Sequence, residues 1–168
     1  MRLSSTFVKV YILDFGFAHE YKNPDGTHKA PRMNPSKYIG SARYAPRNAY
    51  LNRELSRMDD LEMWLYVIVE LVKGALPWNA KDIFTYQKSV RAGLGLREFL
   101  GGLPIEFIDI MKEVDKLSYA DDPNYNEIYG LIGNAILMSG QKVVEIFIAF
   151  MDYNKSMHSL KSAFLGFD

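Results

Sequence analysis

The run from Arg57 to Gly74, Arg-Met-Asp-Asp-Leu-Glu-Met-Trp-Leu-Tyr-Val-Ile-Val-Glu-Leu-Val-Lys-Gly, constrains this chain more than any other stretch. Met58, Leu61, Trp64, Leu65, Ile68 and Leu71 recur at three- and four-residue spacing, the period of one helix face. Met63, Val67 and Val69 put apolar side chains on its other faces. A helix apolar nearly all round has to be surrounded by other elements to be stable in water. Gly74 then stands where a helix ends, because glycine takes the left-handed conformation of a cap at no steric cost. With 168 residues, 48% apolar and 14% aromatic, the chain is long enough to build one domain round such a helix.

The other segments supply candidates for that surrounding. Val8 to Leu13 is short, apolar and rich in β-branched and aromatic residues, and reads as a strand that stops at Asp14-Phe15-Gly16. Residues 19 to 41 carry Asn23-Pro24-Asp25-Gly26, Pro31 and Pro35 with few apolar positions, the composition of a long loop with a tight turn at Pro24-Asp25-Gly26. Asn79 to Arg91 has a weaker helical pattern. Gly93, Gly95, Gly101 and Gly102 punctuate the stretch between Arg91 and Pro104. Pro104 sits where a helix starts, and Ile105, Ile108, Met111, Lys112 and Asp115 give that helix one apolar and one polar face. Asn124 with Glu127 resembles a capping box ahead of Ile128, Leu131, Ile132, Ala135 and Ile136, and Gly140 closes that helix. A last helix is expected from about Gln141 to Tyr153. The expectation is a mainly α fold of about five helices, one short strand and one long loop.

Charge and composition exclude several classes. Twenty Lys and Arg balance twenty Asp and Glu, so there is no electrostatic case for nucleic acid or a membrane surface. The absence of cysteine removes disulfides and cysteine-ligated metals. The first residues lack the apolar stretch of a signal peptide, and the most apolar run, Val143 to Met151, is far too short to span a bilayer. An intracellular protein, cytoplasmic or nuclear, is expected. His19, His28 and His158 have no metal-ligand spacing, and no Gly-x-Ser-x-Gly is present.

Three features in fixed order carry the chemistry. They are Val10-Tyr11-Ile12-Leu13-Asp14-Phe15-Gly16-Phe17-Ala18, then Gly40-Ser41-Ala42-Arg43-Tyr44-Ala45-Pro46, then Arg57-Met58-Asp59-Asp60-Leu61-Glu62 running on to Gly74-Ala75-Leu76-Pro77-Trp78. Phosphoryl transfer asks a protein to hold metal ions on the phosphates and to align an acceptor hydroxyl. A carboxylate at the end of a strand, followed by a glycine turn, is suited to ligating Mg²⁺, and Asp14 is so placed. Taken alone, an Asp-Phe-Gly is more often just a turn after a strand, and Asp14 gains a metal-ligand reading only from the two later features in register with it.

Together the three features resemble the casein kinase 1 family of Ser/Thr protein kinases, including its tau-tubulin-kinase-like and nematode-type relatives. The likeness covers roughly residues 8 to 137, with Arg-x-Asp-Asp-Leu-Glu followed by Leu-Pro-Trp as its most specific part. It implies the C-terminal lobe of a protein kinase domain over residues 1–140, with a C-terminal helix and tail over 141–168. It implies ATP and Mg²⁺ as cofactors, with Asp14 as a metal ligand, and a protein substrate or partner. It implies an activation segment containing Phe15, Gly16, Ser41, Ala45, Pro46 and Arg47. Ser41 keeps the hydroxyl of the family's usual Thr. Arg47 stands where most protein kinases have Glu, so the usual ion pair anchoring the segment cannot form. Asp60 is implied as the anchor of the catalytic loop, though a first-turn Asp is also favoured simply by the helix dipole.

Casein kinase 1 enzymes favour acidic or previously phosphorylated substrates. The anion site this implies maps to Arg43, Gly74 and Lys81. An Arg with backbone N–H groups is a sound anion site. The alternatives are a structural ion pair for Arg43 and a solvated surface side chain for Lys81. Trp64 and Trp78 read as core aromatics. Residues 1–13 hold no Gly-rich loop, no strand Lys, no helix Glu and no catalytic-loop Asp and Asn. The expectation is that this chain alone is inactive. Its alternatives are a binding scaffold built on a kinase lobe, a piece of a working kinase, or an unrelated α-rich interaction domain.

Overall fold

The computed structural model describes residues 13–35, 37–79 and 81–139. The expected strand lies outside the described residues but for Leu13, which is exposed and in no strand. The expected helix from Gln141 to Tyr153 and the tail also lie outside them. Six α-helices occur among the described residues: α1 (Arg47–Tyr50), α2 (Arg57–Lys73), α3 (Ile83–Ser89), α4 (Gly93–Leu100), α5 (Glu106–Asp115) and α6 (Tyr125–Ser139). A short 3₁₀ turn, Ala42–Tyr44, precedes them.

Helix α2 is the axis. It starts where the Asp59 carboxylate reaches back to accept the Ser56 backbone N–H at 2.8 Å, one half of a capping box. It stops at Gly74, whose φ of 83° is left-handed and whose N–H donates to the Glu70 carbonyl at 2.7 Å. Leu65, Tyr66, Ile68 and Val69 are buried on one side of it. Against them lie Trp78, Phe99 from α4, Phe107, Ile110 and Val114 from α5, and Ile128, Ile132 and Ala135 from α6. The rings of Tyr66, Trp78 and Phe99 meet at centroid separations of 4.9, 5.9 and 5.5 Å, with Tyr66 edge-on to both partners, a favourable arrangement of aromatic quadrupoles. Helix α5 packs on both α2 and α6, while α3 bridges α1 and α4.

Two sequence expectations are corrected. The weaker helix is confined to Ile83–Ser89, short of the Asn79 and Arg91 limits. The glycine-punctuated stretch is itself a helix, α4, whose Phe99 and Leu100 are buried. Gly95 is required there by close approach: a Cβ would lie 2.4 Å from the Ser89 carbonyl oxygen at the end of α3. The glycine that lowered local helix propensity is what lets two helices touch. The Asn124 cap is present, with Glu127 N–H donating to Asn124 Oδ1 at 3.2 Å.

Residues 13–41 are irregular where described. The turn expected at Pro24-Asp25-Gly26 is found, with Gly26 N–H donating to the Asn23 carbonyl at 2.9 Å and an antiparallel bridge between Lys22 and His28. Its base is held by charge: Arg32 grips Glu54 with two bonds of 2.8 and 2.7 Å, and Arg57 stacks 4.3 Å over the Tyr21 ring while pairing with Asp122.

Leu65 is wholly buried and Leu94 is 82% exposed. Leu65→Ala is therefore expected to cost about 2–5 kcal/mol in urea unfolding, and Leu94→Ala close to nothing. Equal losses for the two would mean that α2 is not the centre of the core.

Candidate functional site

The loop carrying Ser41, Ala45, Pro46 and Arg47 is seated on α2 and α3 through specific bonds. Trp78 Nε1 donates to the Arg43 carbonyl at 2.8 Å, and the buried Gln87 donates its Nε2–H to the Ala45 carbonyl at 2.8 Å. Ala45 and Pro46 are buried. These bonds bring Arg43 beside the Leu76-Pro77-Trp78 turn, so two of the three sequence features meet in space.

Arg47 lacks the anchor that a Glu there would give, and the structure supplies another. Its Nε donates to Glu62 Oε1 at 2.8 Å, and its guanidinium also pairs with Asp115. Arg91 completes the ring, reaching Glu62 at 3.0 Å and Asp115 at 3.0 Å. Glu62 is 1% exposed and also accepts the Tyr66 hydroxyl. A buried carboxylate without partners costs several kcal/mol, so Glu62 requires these guanidiniums as much as they use it. The sequence did not reveal this cluster, because its members lie on α1, α2, α5 and the turn after α3.

Arg43 is held by Glu70. Its Nε lies 2.9 and 3.2 Å from the two carboxylate oxygens, and Tyr44 donates its hydroxyl to the same group at 2.5 Å. The bond from Arg43 holds the Glu70 carboxyl below its ordinary pKa, and the same bond raises that of Arg43. The ion-pair alternative for Arg43 is thus present in the structure. Gly74 adjoins this pair through its N–H bond to the Glu70 carbonyl. Lys81 is exposed, and its ammonium has no partner among the described residues.

Asp14 is exposed at a left-handed φ of 64°, where Asp is among the better tolerated residues. Its Oδ1 accepts the Gly16 N–H at 3.3 Å, and Phe15 and Phe17 point into solvent. Among the described residues there is no group of three or more His, Asp or Glu side chains able to hold a metal ion. Mg²⁺ takes six oxygens, commonly one or two carboxylates with phosphates and waters, and among the described residues Asp14 offers one carboxylate toward such a set. The Ser41 hydroxyl is exposed and unpaired among the described residues.

Asp60 is solvent-exposed and has no side-chain hydrogen bond among the described residues, although protein atoms crowd it enough that desolvation raises its pKa. Its neighbour Asp59 is the buried one of the pair. Burial lifts the Asp59 carboxyl to about 6, against the opposing bonds from Ser56 N–H and Asn48 Nδ2.

With this geometry in place, the relatives are informative. No family model matches the chain. The Ser/Thr-protein kinase spe-6 of Caenorhabditis elegans is 35% identical over 133 residues, covering 75% of this chain and 35% of that protein. Casein kinase I homolog 1 of Schizosaccharomyces pombe is 33% identical over 133 residues, covering 76% of this chain and 30% of that one. A probable casein kinase I homolog of Encephalitozoon cuniculi is 33% identical over 146 residues, covering 83% of this chain and 48% of that one. The chain is a Ser/Thr-protein-kinase-like sequence. More narrowly, it is homologous to casein kinase I and its relatives over some three quarters of its length. It spans about a third of the length of the first two relatives.

The buried charges lead to two expected outcomes. Because Arg47 and Arg91 share Glu62, either single Ala variant leaves it one guanidinium. The double variant leaves none and is expected to lose roughly 3–5 kcal/mol, more than the sum of the singles, in a urea double-mutant cycle. Simple additivity would mean the cluster is not cooperative. For Asp59, a folded pKa raised from 3.8 to about 6 means the folded state binds the extra proton between those values, so stability falls as pH rises through that window. The fall amounts to on the order of 3 kcal/mol. It is read as the difference between wild type and Asp59→Asn in unfolding across pH 4 to 7, and a difference that is flat with pH contradicts it.

Proposed function

We propose that residues 1–140 form the substrate-side, C-terminal lobe of a casein-kinase-1-like Ser/Thr protein kinase domain, followed by an extension over 141–168. In this reading the parent reaction is transfer of the ATP γ-phosphoryl group to a protein Ser or Thr hydroxyl, with Mg²⁺ neutralising the phosphates. The observation that carries it is the seating of the Arg43–Arg47 segment on α2 and α3 by Trp78, Gln87 and Glu62. A kinase needs such a fixed platform at the end of its activation segment, because the peptide substrate lies along it.

The chain's roles divide accordingly. Arg43, the Gly74 turn and Lys81 line the subsite for an acidic or phosphorylated substrate residue. Phe15, Gly16, Ser41, Ala45, Pro46 and Arg47 belong to the activation segment. Asp14 supplies one metal oxygen once other ligands are brought to it, and Asp60 anchors the catalytic loop. The 168 residues contain no catalytic-loop Asp, no strand Lys and no Gly-rich loop ahead of Asp14. General-base and phosphate-clamping groups each contribute large rate factors, so these residues alone do not transfer phosphate.

A binding-scaffold reading draws support from uncovered apolar side chains. Leu13, Phe15 and Phe17 are 59–79% exposed, and Leu71 on α2 is 57% exposed. Surfaces of this kind call for a covering partner.

The test is a thermal melt of the 168-residue chain with and without Mg-ATP, beside phosphate incorporation into an acidic Ser/Thr peptide. The expected result is a cooperative melt whose midpoint Mg-ATP leaves in place, with incorporation at the enzyme-free background. A raised midpoint, or incorporation abolished by Asp14→Ala, would show that the chain holds and uses nucleotide by itself.

A further inference from the structure

The anion subsite proposed above contains a carboxylate that its purpose does not call for. Glu70 sits in the last turn of α2, where the negative end of the helix dipole disfavours an acid. It is stable there because Arg43 and Tyr44 both donate to it, the Arg43 Nε and terminal nitrogen together straddling its oxygens. The Glu70 carbonyl also takes the Gly74 N–H. Through side chain and backbone, one residue thus occupies the guanidinium edge and one amide that an incoming anion would use. The adjacent Lys73 is spent as well, donating to the Glu98 and Phe99 carbonyls at 2.6 and 2.9 Å. Lys81 alone stays uncompensated among the described residues of the subsite.

We infer that Glu70 is a built-in competitor for the Arg43 subsite, a specificity determinant that lowers the chain's affinity for phosphorylated and acidic substrate residues. This rests on the assignment of Arg43, Gly74 and Lys81 as an anion site. The carboxylate mimics the incoming anion in charge and in two-oxygen geometry. A substrate phosphate has to displace it or bind a guanidinium whose charge is already balanced. In either case selectivity shifts away from acidic sequences and towards neutral ones.

The experiment titrates inorganic phosphate into the full 168-residue chain by calorimetry. The variants are wild type, Glu70→Gln, Arg43→Ala and Arg43→Ala with Glu70→Gln. The amide of Gln keeps an acceptor for Arg43 and removes the charge. Glu70→Gln is expected to bind phosphate roughly tenfold more tightly than wild type, since each tenfold is the scale of one charge-assisted bond. Adding Arg43→Ala should remove that gain. A circular dichroism melt shows that each variant is folded, and Glu70→Ala substitutes for Glu70→Gln if the latter is not. Should Glu70→Gln match wild type while Arg43→Ala weakens both, the anion site stands and the competitor role is wrong. Should Glu70→Gln bind more weakly than wild type, Glu70 orients Arg43 for the anion and the inference is overturned. If no binding depends on Arg43 in any variant, the anion-site assignment falls, and the inference with it.

Discussion

The Glu62 carboxylate is the point on which the rest of this structure hangs. It lies on the central helix with almost no solvent access, and a charge in that position must be met by charge. Arg47 and Arg91 both donate to its Oε1, with Tyr66 adding a hydroxyl. Asp115 at the end of α5 then ties the two guanidiniums together. One buried requirement therefore fixes four segments of chain. The loop end at Arg47 is docked, the turn after α3 is drawn in and α5 is registered against α2. Arg47 opens α1 and Glu62 lies on α2, so the pair fastens the end of the preceding loop to the central helix.

That fastening has a consequence for the surface beside it. With the loop end fixed and Trp78 bonded to the Arg43 carbonyl, Arg43 is delivered next to the Gly74 turn. Its side chain meets Glu70 one turn before the helix stops. The same central helix thus supplies the carboxylate that docks the loop and the carboxylate that balances its exposed Arg. The first is a condition of folding. The second leaves both partners at the solvent edge, where the pair adds little stability and its importance is for what can bind.

Much of the core was readable in the sequence. The unbroken apolar pattern of 57–73, the Gly74 stop and the Asn124 cap depend on neighbours within one or two turns, and all appear as expected. The order of the three sequence features also pointed to the kinase relatives. Helix α4 was not readable, because Gly93 and Gly95 argue against a helix locally. Only contact with the end of α3 shows why Gly95 is needed. The burial of Asp59 rather than its neighbour was equally hidden. Both sit in the first turn of α2, and which one is buried depends on Asn48 reaching across from α1.

By itself, the sequence determined the central helix, its limits, its apolar surroundings and its kinship with casein kinase I, since each of these is written in local spacing or in ordered motifs. Tertiary structure alone decided the pairing of charges. Arg47 meets Glu62 across fourteen intervening residues, and Asp115 from much further along the chain. Arg43 could have been a free anion receptor or half of an ion pair, and its residue type fits both. Electrostatic pairing depends on distance in space and on burial, and neither is encoded in spacing along the chain.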